Sequence, residues 1–153
     1  MSWFRKIVPW VLGIVVVASV ATRPPQFDVS GQVLEGAVVP KEVIERIDRA
    51  CVDCHSDVPR YPWYSFVAPV SVLIRQDVLK GREHLNLSQW KTLSNVRRLR
   101  LLSDIANQIQ TRQMPLDIYV RMHPSARLSD SDLESIFRWT QGERARVIAE
   151  IQK

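Results

Sequence analysis

The sequence predicts an all-α domain that follows a short apolar N-terminal segment. Apolar residues recur at helical spacing in four separate stretches after residue 40. No stretch of useful length alternates between apolar and polar residues, and the chain has no internal repeat and no glycine-rich phosphate loop. With 153 residues, of which 46% are hydrophobic and 24% charged, the chain is long enough for one domain with one core.

The net charge and the cysteine count exclude two classes of protein. Lys and Arg number 21 against 16 Asp and Glu, which gives +5, and Arg5 and Lys6 supply two of those charges at the N-terminus. The remaining +3 is too small to indicate nucleic-acid binding, so no nucleic-acid partner is expected. Two cysteines are too few for a disulfide scaffold.

Residues 1–22 have the layout of an export signal. A short cationic start precedes an uncharged run from Ile7 to Ala21. We expect a signal anchor that crosses a bacterial inner membrane once and leaves the rest of the chain in the periplasm. Cleavage after the small residues Ser19-Val20-Ala21 would instead give a secreted periplasmic protein.

The remainder divides into a linker at 23–38 and one domain at 39–153. Pro24 and Pro25 cannot continue a helix, and the stretch that follows is polar without apolar periodicity. Pro40 suits the first turn of the next helix. Apolar residues and both cysteines then share one helical face: Val43, Ile44, Ile47, Ala50, Cys51 and Cys54.

The run Cys51-Val52-Asp53-Cys54-His55 is a CxxCH motif, the attachment signature of a c-type haem. Cysteines at positions i and i+3 of a helix share a face, so both thiols can reach the two vinyl groups on one edge of the ring. The next residue, His55, then presents a nitrogen to the iron. The motif predicts one covalent haem c, held through Cys51 and Cys54 with His55 as proximal ligand.

Three other interpretations of the motif fit the sequence less well. A structural zinc site needs four ligands, and no second close Cys/His pair exists. A thioredoxin-like redox pair would need alternating strands and helices. A local disulfide would leave His55 without a role.

The sixth iron ligand has four candidates apart from Met1: His84, Met114, Met122 and His123. Met114 is preferred, because Pro115 stops a helix there and keeps the side chain on a loop, and a thioether ligand raises the reduction potential. The alternative for Met114 is core packing, a common use of methionine. Met122 and His123 are the weaker alternatives, and a second histidine would lower the potential. His84 is expected on a surface loop.

The rest of the chain is expected to wrap the haem with helices. The aromatic-rich stretch 59–69 predicts an irregular loop that covers a haem face. A helix is predicted from Val70 to Lys80, with Gly81 as its stop, and a longer one from Ser88 to Ile109. Ser129 is the predicted N-cap of the last helix.

Four stretches of the chain resemble a small bacterial haem-binding domain family built on CxxCH. They read CVDCHSD, YPWYSFVAPVS, GREHLNLSQW and MPLDIYVRMHPSARLSDSDLESIFRW, and together they reach from Pro40 to Trp139. The resemblance implies haem c, an exported location and a mostly helical fold, and Cys51, Cys54 and His55 carry over directly. A looser similarity to class I cytochromes c favours a cytochrome c-like arrangement of helices.

Two functions are compatible with these expectations. The first is a membrane-tethered monohaem cytochrome that transfers electrons in the periplasm to an unidentified redox partner and catalyses no reaction. The alternative is a haem-based sensor of small ligands or a peroxidase-like module, which needs an open or weakly held sixth position. The discriminating question is whether Met114 reaches the iron.

Overall fold

A computed structural model describes residues 2–152, apart from the side chains of residues 2, 4 and 5. Met1 and Lys153, the two ends of the predicted domain scheme, lie outside the described residues. Within that range the chain forms seven α-helices: α1 (Ser2–Ala21), α2 (Lys41–Ala50), α3 (Val52–His55), α4 (Val70–His84), α5 (Asn95–Gln110), α6 (Asp117–Met122) and α7 (Asp130–Ile151). Since no strand occurs among the described residues, the all-α prediction is confirmed.

The core lies where α2, α5 and α7 meet. α5 packs along α7, α2 crosses against α7, and the short α3 lies between α2 and α4. Each of these helices is amphipathic and buries its apolar face here. The largest fully buried apolar side chains are Val43, Val78, Leu87, Trp90, Leu102, Ile136 and Val147.

The helix ends explain where the sequence prediction succeeded and where it was wrong. Ser129 caps α7 as predicted, and its side chain and Asp132 form a reciprocal capping box. Gly81 does not end α4, which continues to His84. The predicted helix from Ser88 is two elements, because a 3₁₀ turn at Leu87–Thr92 precedes Ser94, the N-cap of α5. The two elements begin separately because each has its own capping side chain, Asn86 for the 3₁₀ turn and Ser94 for α5.

The segment 23–38 contains no helix, but it packs on the domain. Leu34 is 2% exposed and belongs to the core cluster. The carbonyl of Val38 accepts a hydrogen bond from the indole of Trp139 in α7, at 3.0 Å. The buried Glu143 accepts a hydrogen bond from the Val38 amide at 3.3 Å. These contacts fix the part of the segment that precedes α2.

The prediction of a single-pass inner-membrane anchor is wrong. Among the described residues, no helix combines the length and the apolar character that a membrane crossing requires. The uncharged run from Ile7 to Ala21 would be about 22 Å long as a helix, while the hydrocarbon core is about 30 Å thick. The end of α1 is bonded to the domain instead, because Ser19 Oγ accepts from the Ala68 amide at 3.0 Å and the Thr22 and Ser71 hydroxyls lie 2.6 Å apart.

Candidate functional site

The CxxCH motif forms a single turn that continues α2 into α3. The amide of Cys51 donates to the carbonyl of Ile47, and the amide of His55 donates to the carbonyl of Cys51, each at 2.9 Å. Cys51 is the residue between the two helices, while Cys54 and His55 lie in α3. Both cysteines are free and half-buried. The structure therefore brings the three predicted attachment residues together on one turn.

Both thiols are held in the protonated form. Burial raises the pKa of Cys51 to about 12, and the neighbouring Cys54 adds to the shift. Burial also raises the pKa of Cys54 to about 12, with further contributions from the charges of Asp77 and Asp53. A buried thiol of this kind resists oxidation and alkylation, because the thiolate is the reactive form. Both thiols are therefore uncharged at neutral pH.

The imidazole of His55 is oriented by the backbone that follows α4. Its Nδ1 lies 3.0 Å from the carbonyl oxygen of Leu85. Burial lowers the pKa of His55, although the carbonyls of Leu85 and Gly81 act in the opposite direction and His84 adds a small lowering effect. The ring is therefore neutral at neutral pH, with Nδ1–H as donor and Nε2 as the nitrogen available to a metal. This is the usual way in which a protein fixes the tautomer of a ligating histidine.

Gly81 allows α4 to touch the motif. A Cβ atom at this position would lie 2.6 Å from the carbonyl oxygen of Cys54 and 3.3 Å from its Cβ. No side chain fits there, since the atom it would meet is backbone. Gly81 is thus a contact residue of the site and not the helix stop that the sequence predicted.

A buried carboxylate two residues beyond His55 holds the surrounding segments together. Asp57 is 3% exposed. It accepts hydrogen bonds from Ser30, Arg82 and Asn86, the last at 2.8 Å, and its amide donates to Ser88 Oγ at 3.0 Å. Burial alone would raise the pKa of Asp57, but the hydrogen bonds from those side chains outweigh it and hold the pKa below its usual value.

The Asp57 cluster lies on both sides of the residue that orients His55. Arg82 and Asn86 lie on either side of Leu85, whose carbonyl accepts from His55. The guanidinium of Arg82 also lies 3.4 Å from the centre of the Phe27 ring, a cation–π contact that fixes it from the other side. Asp57 therefore determines the position of the Leu85 carbonyl, and through it the orientation of the His55 ring.

Met114 lies apart from the motif, on the loop between α5 and α6. It is half-buried and lines a cavity of about 330 Å³. The other lining residues are four apolar residues, three arginines and one acid: Pro115, Val120, Leu128, Leu133, Arg112, Arg121, Arg127 and Asp117. Cys51, Cys54 and His55 do not line this cavity. The link between the two places is Tyr119 of α6, whose hydroxyl donates to Asp53 of the motif at 2.7 Å.

The other candidates for the sixth ligand are less well placed. Met122 ends α6 with 54% of its surface exposed. Both nitrogens of His123 have partners, since Nδ1 lies 3.1 Å from the Tyr119 carbonyl and Nε2 lies 3.1 Å from the Tyr64 hydroxyl. His84 is exposed at the end of α4, and its Nδ1 lies 2.8 Å from the Lys80 carbonyl. The expectation of a surface residue fits, but His84 is helical and not in a loop.

Three residues of the site gave no signal in the sequence. Asp53 was treated as an ordinary position between the cysteines, yet it accepts from both Tyr119 and Arg60. Asp57 and Gly81 act through partners that lie 25 to 31 residues away along the chain. Such pairings have no local pattern, because they depend on which segments the fold places side by side.

The donor set fits a covalently attached haem better than a metal ion held by protein alone. Two reduced thiols and a histidine with one engaged nitrogen share one turn. Over residues 2–152, no group of three or more His, Cys, Asp and Glu side chains is arranged to hold a metal ion. A zinc site uses four such ligands, with its cysteines as thiolates.

Comparison with known proteins identifies a haem-binding family. The haem-binding domain family matches residues 10–142, most of the chain. No curated protein and no solved structure matches the chain. The resemblance seen in the sequence is thereby confirmed at the level of the family. The chain belongs to the haem-binding domain family, and haem is its ligand.

Proposed function

We propose that this protein is a monohaem c-type cytochrome that carries electrons. Cys51 and Cys54 hold the haem through thioethers, His55 is the proximal ligand and Met114 is the sixth. The observation that carries the proposal is the motif turn, in which two free thiols share a face and the Leu85 carbonyl fixes His55 with Nε2 available. The haem supplies the redox chemistry, since its iron gains and loses one electron.

The covalent attachment suits thiols in this state. In each thioether the sulfur and the hydrogen of one S–H group add across one vinyl double bond, so no oxidant is consumed and nothing leaves. The addition needs reduced cysteines, which the free, buried Cys51 and Cys54 provide. The Gly81 contact supports the turn from behind while both side chains are free to react.

A closed site favours electron transfer over catalysis. The half-buried Met114 is close in sequence to α6, which is bonded to the motif through Tyr119 and Asp53. His123 is the histidine that could serve as an acid or base on the distal side, and hydrogen bonds occupy both of its nitrogens. A carrier needs no more than a wrapped haem and a contact surface for its partner. Arg97 and Arg100 are exposed on α5 and suit a redox partner with an acidic surface.

The experiment replaces each methionine by alanine in the haem-loaded protein. We expect Met114→Ala to abolish the far-red ferric absorption band that thioether ligation produces and to let carbon monoxide bind the ferrous protein readily. We also expect the reduction potential to fall by on the order of 0.1 V, within the roughly 0.8 V that axial ligands span. Absorption spectra of both oxidation states and a redox titration measure these effects.

Met122→Ala is the matched control, since Met122 is exposed at the end of the neighbouring helix. It should leave the band, the potential and the response to carbon monoxide unchanged. A high-spin ferric spectrum and ready carbon monoxide binding in the unmodified protein would refute the closed site and favour the sensor or peroxidase-like function.

A further inference from the structure

The short helix α6 connects the motif turn to the segment that carries Met114. Tyr119 lies on the side of α6 that meets the motif and donates its hydroxyl to Asp53 Oδ2 at 2.7 Å. The next two residues, Val120 and Arg121, line the cavity that Met114 also lines. One and a half turns of helix therefore span both parts of the proposed haem site.

The acceptor of this hydrogen bond is itself held firmly. Asp53 Oδ1 accepts from the amide of Arg60 at 3.2 Å and from its Nε at 2.8 Å, which leaves Oδ2 to Tyr119. Arg60 in turn pairs with Asp48 of α2 at 2.9 Å. The side chain of Asp53 is 14% exposed, so water competes weakly for it. Asp53 Oδ2 is therefore an acceptor with a fixed position and direction for the hydrogen bond from α6.

The ring of Tyr119 also determines where His123 lies. The two rings are stacked with their centres 4.3 Å apart and their planes 28° from parallel. The Nε2 of His123 then meets the hydroxyl of Tyr64, and its Nδ1 meets the Tyr119 carbonyl. A histidine held at both nitrogens has no lone pair free for iron.

We propose that Tyr119 is a positioning residue for the sixth ligand. Its hydrogen bond to Asp53 fixes α6, and with it the Met114 loop, against the haem-attachment turn, while its ring keeps His123 bound to Tyr64. This inference rests on the proposed function, because it concerns which side chain the iron receives. It adds that Asp53, one of the two residues between the attachment cysteines, takes part in positioning that ligand.

The test uses the haem-loaded protein and two single-group changes, Tyr119→Phe and Asp53→Asn. Tyr119→Phe removes the donor of this hydrogen bond, whereas Asp53→Asn replaces its charged acceptor by an amide and also removes the ion pair with Arg60. Both changes keep the shape of the side chain. Tyr61→Phe is the matched control, because Tyr61 is another half-buried tyrosine and its hydroxyl donates to the Pro25 carbonyl, away from α6. Asp48→Asn controls for the loss of an Arg60 partner.

Two readouts report on different steps. Amide hydrogen exchange of residues 111–122 measures how firmly α6 and the Met114 loop are held. The rate at which carbon monoxide displaces the sixth ligand of the ferrous protein measures the consequence at the iron. We expect both rates to rise about tenfold in each variant, since a hydrogen bond to a charged group is worth that order. The double variant should show no further increase over Asp53→Asn, because that change already weakens the hydrogen bond that Tyr119→Phe removes.

The outcomes separate this proposal from the proposed function. Unchanged exchange in Tyr119→Phe, or the same increase in Tyr61→Phe, would overturn the positioning role while covalent haem and electron transfer stand. Faster exchange without faster carbon monoxide binding would also overturn it, since α6 would then be held without affecting the ligand. If the iron of the unmodified protein has no methionine ligand, Met114 is not the sixth ligand of the proposed function. The proposal that Tyr119 positions that ligand would then be refuted as well.

Discussion

Replacing Gly81 with alanine is expected to lower the free energy of unfolding by about 2 kcal/mol or more. The new Cβ would lie 2.6 Å from the carbonyl oxygen of Cys54, and neither backbone can yield without moving α4 away from the motif turn. The same shift would carry the Leu85 carbonyl away from His55, so we also expect a smaller fraction of the chains to hold haem. Thermal or denaturant unfolding measures the first effect, and haem absorbance per protein measures the second.

Gly142→Ala is the matched control within α7. No atom lies within 4 Å of the Cβ that it would add, so the higher helix propensity of alanine should raise stability by up to about 1 kcal/mol. The two Gly→Ala changes should therefore have opposite signs. A Gly81→Ala protein as stable as the unmodified one, with full haem content, would contradict the close approach of α4 to Cys54.

Asp57→Asn is expected to cost about 3 kcal/mol of stability, the order found when one partner of a buried ion pair is removed. The amide keeps the size of the side chain, but it replaces one acceptor oxygen by a donor, which then faces either Ser30 at Oδ2 or Arg82 and Asn86 at Oδ1. Since this cluster brackets Leu85, the orientation of His55 should relax as well. Denaturant unfolding gives the energy, and the iron–histidine stretching frequency of the ferrous protein reports the orientation.

The stability that is lost in Asp57→Asn should depend on pH in a defined direction. Because the pKa of Asp57 is lower in the folded protein than its usual value of 3.8, the unfolded chain binds its proton first as the pH falls. The stabilisation by Asp57 is therefore complete above pH about 4 and is lost as the pH falls through the lower folded value. The difference in stability between the unmodified protein and Asp57→Asn should be constant from pH 5 to 7, at about 3 kcal/mol. This difference should shrink below pH about 4.

Asp48→Asn provides the comparison at the surface. The side chains of Asp48 and its partner Arg60 are 58% and 55% exposed, so the loss of this pair should cost about 0.5 kcal/mol. A cost for Asp57→Asn no greater than that of Asp48→Asn would contradict the buried cluster. A gap between the unmodified protein and Asp57→Asn that widens in acid would contradict the lowered pKa.

The sequence predicted the features that depend on residues close together in the chain. The apolar spacing of α2 and α7 and the Ser129 cap are local features, and they placed helices where the structure has them. The CxxCH spacing placed Cys51, Cys54 and His55 on one turn for the same reason. The all-α class and the membership of a haem-binding family followed from these features.

What it could not predict depends on contacts between distant segments. Gly81 looks like a helix stop in the sequence, and its role as a point of close approach appears only when α3 is placed against α4. Asp53 looked interchangeable until Tyr119, 66 residues later, was found to donate to it. A cationic start and an apolar run have the order of a membrane signal, but the anchor prediction was wrong because no described helix combines the length and the apolar character of a membrane crossing.

The central claim is that haem is joined to this chain through Cys51 and Cys54. Its most direct test is the mass of the haem-loaded protein after complete unfolding in acid and organic solvent. We predict that the unmodified chain keeps the mass of one haem, that Cys51→Ser and Cys54→Ser each keep one thioether or load poorly, and that the double variant releases all haem. An unmodified chain that unfolds to its bare mass with free haem in solution would contradict the account.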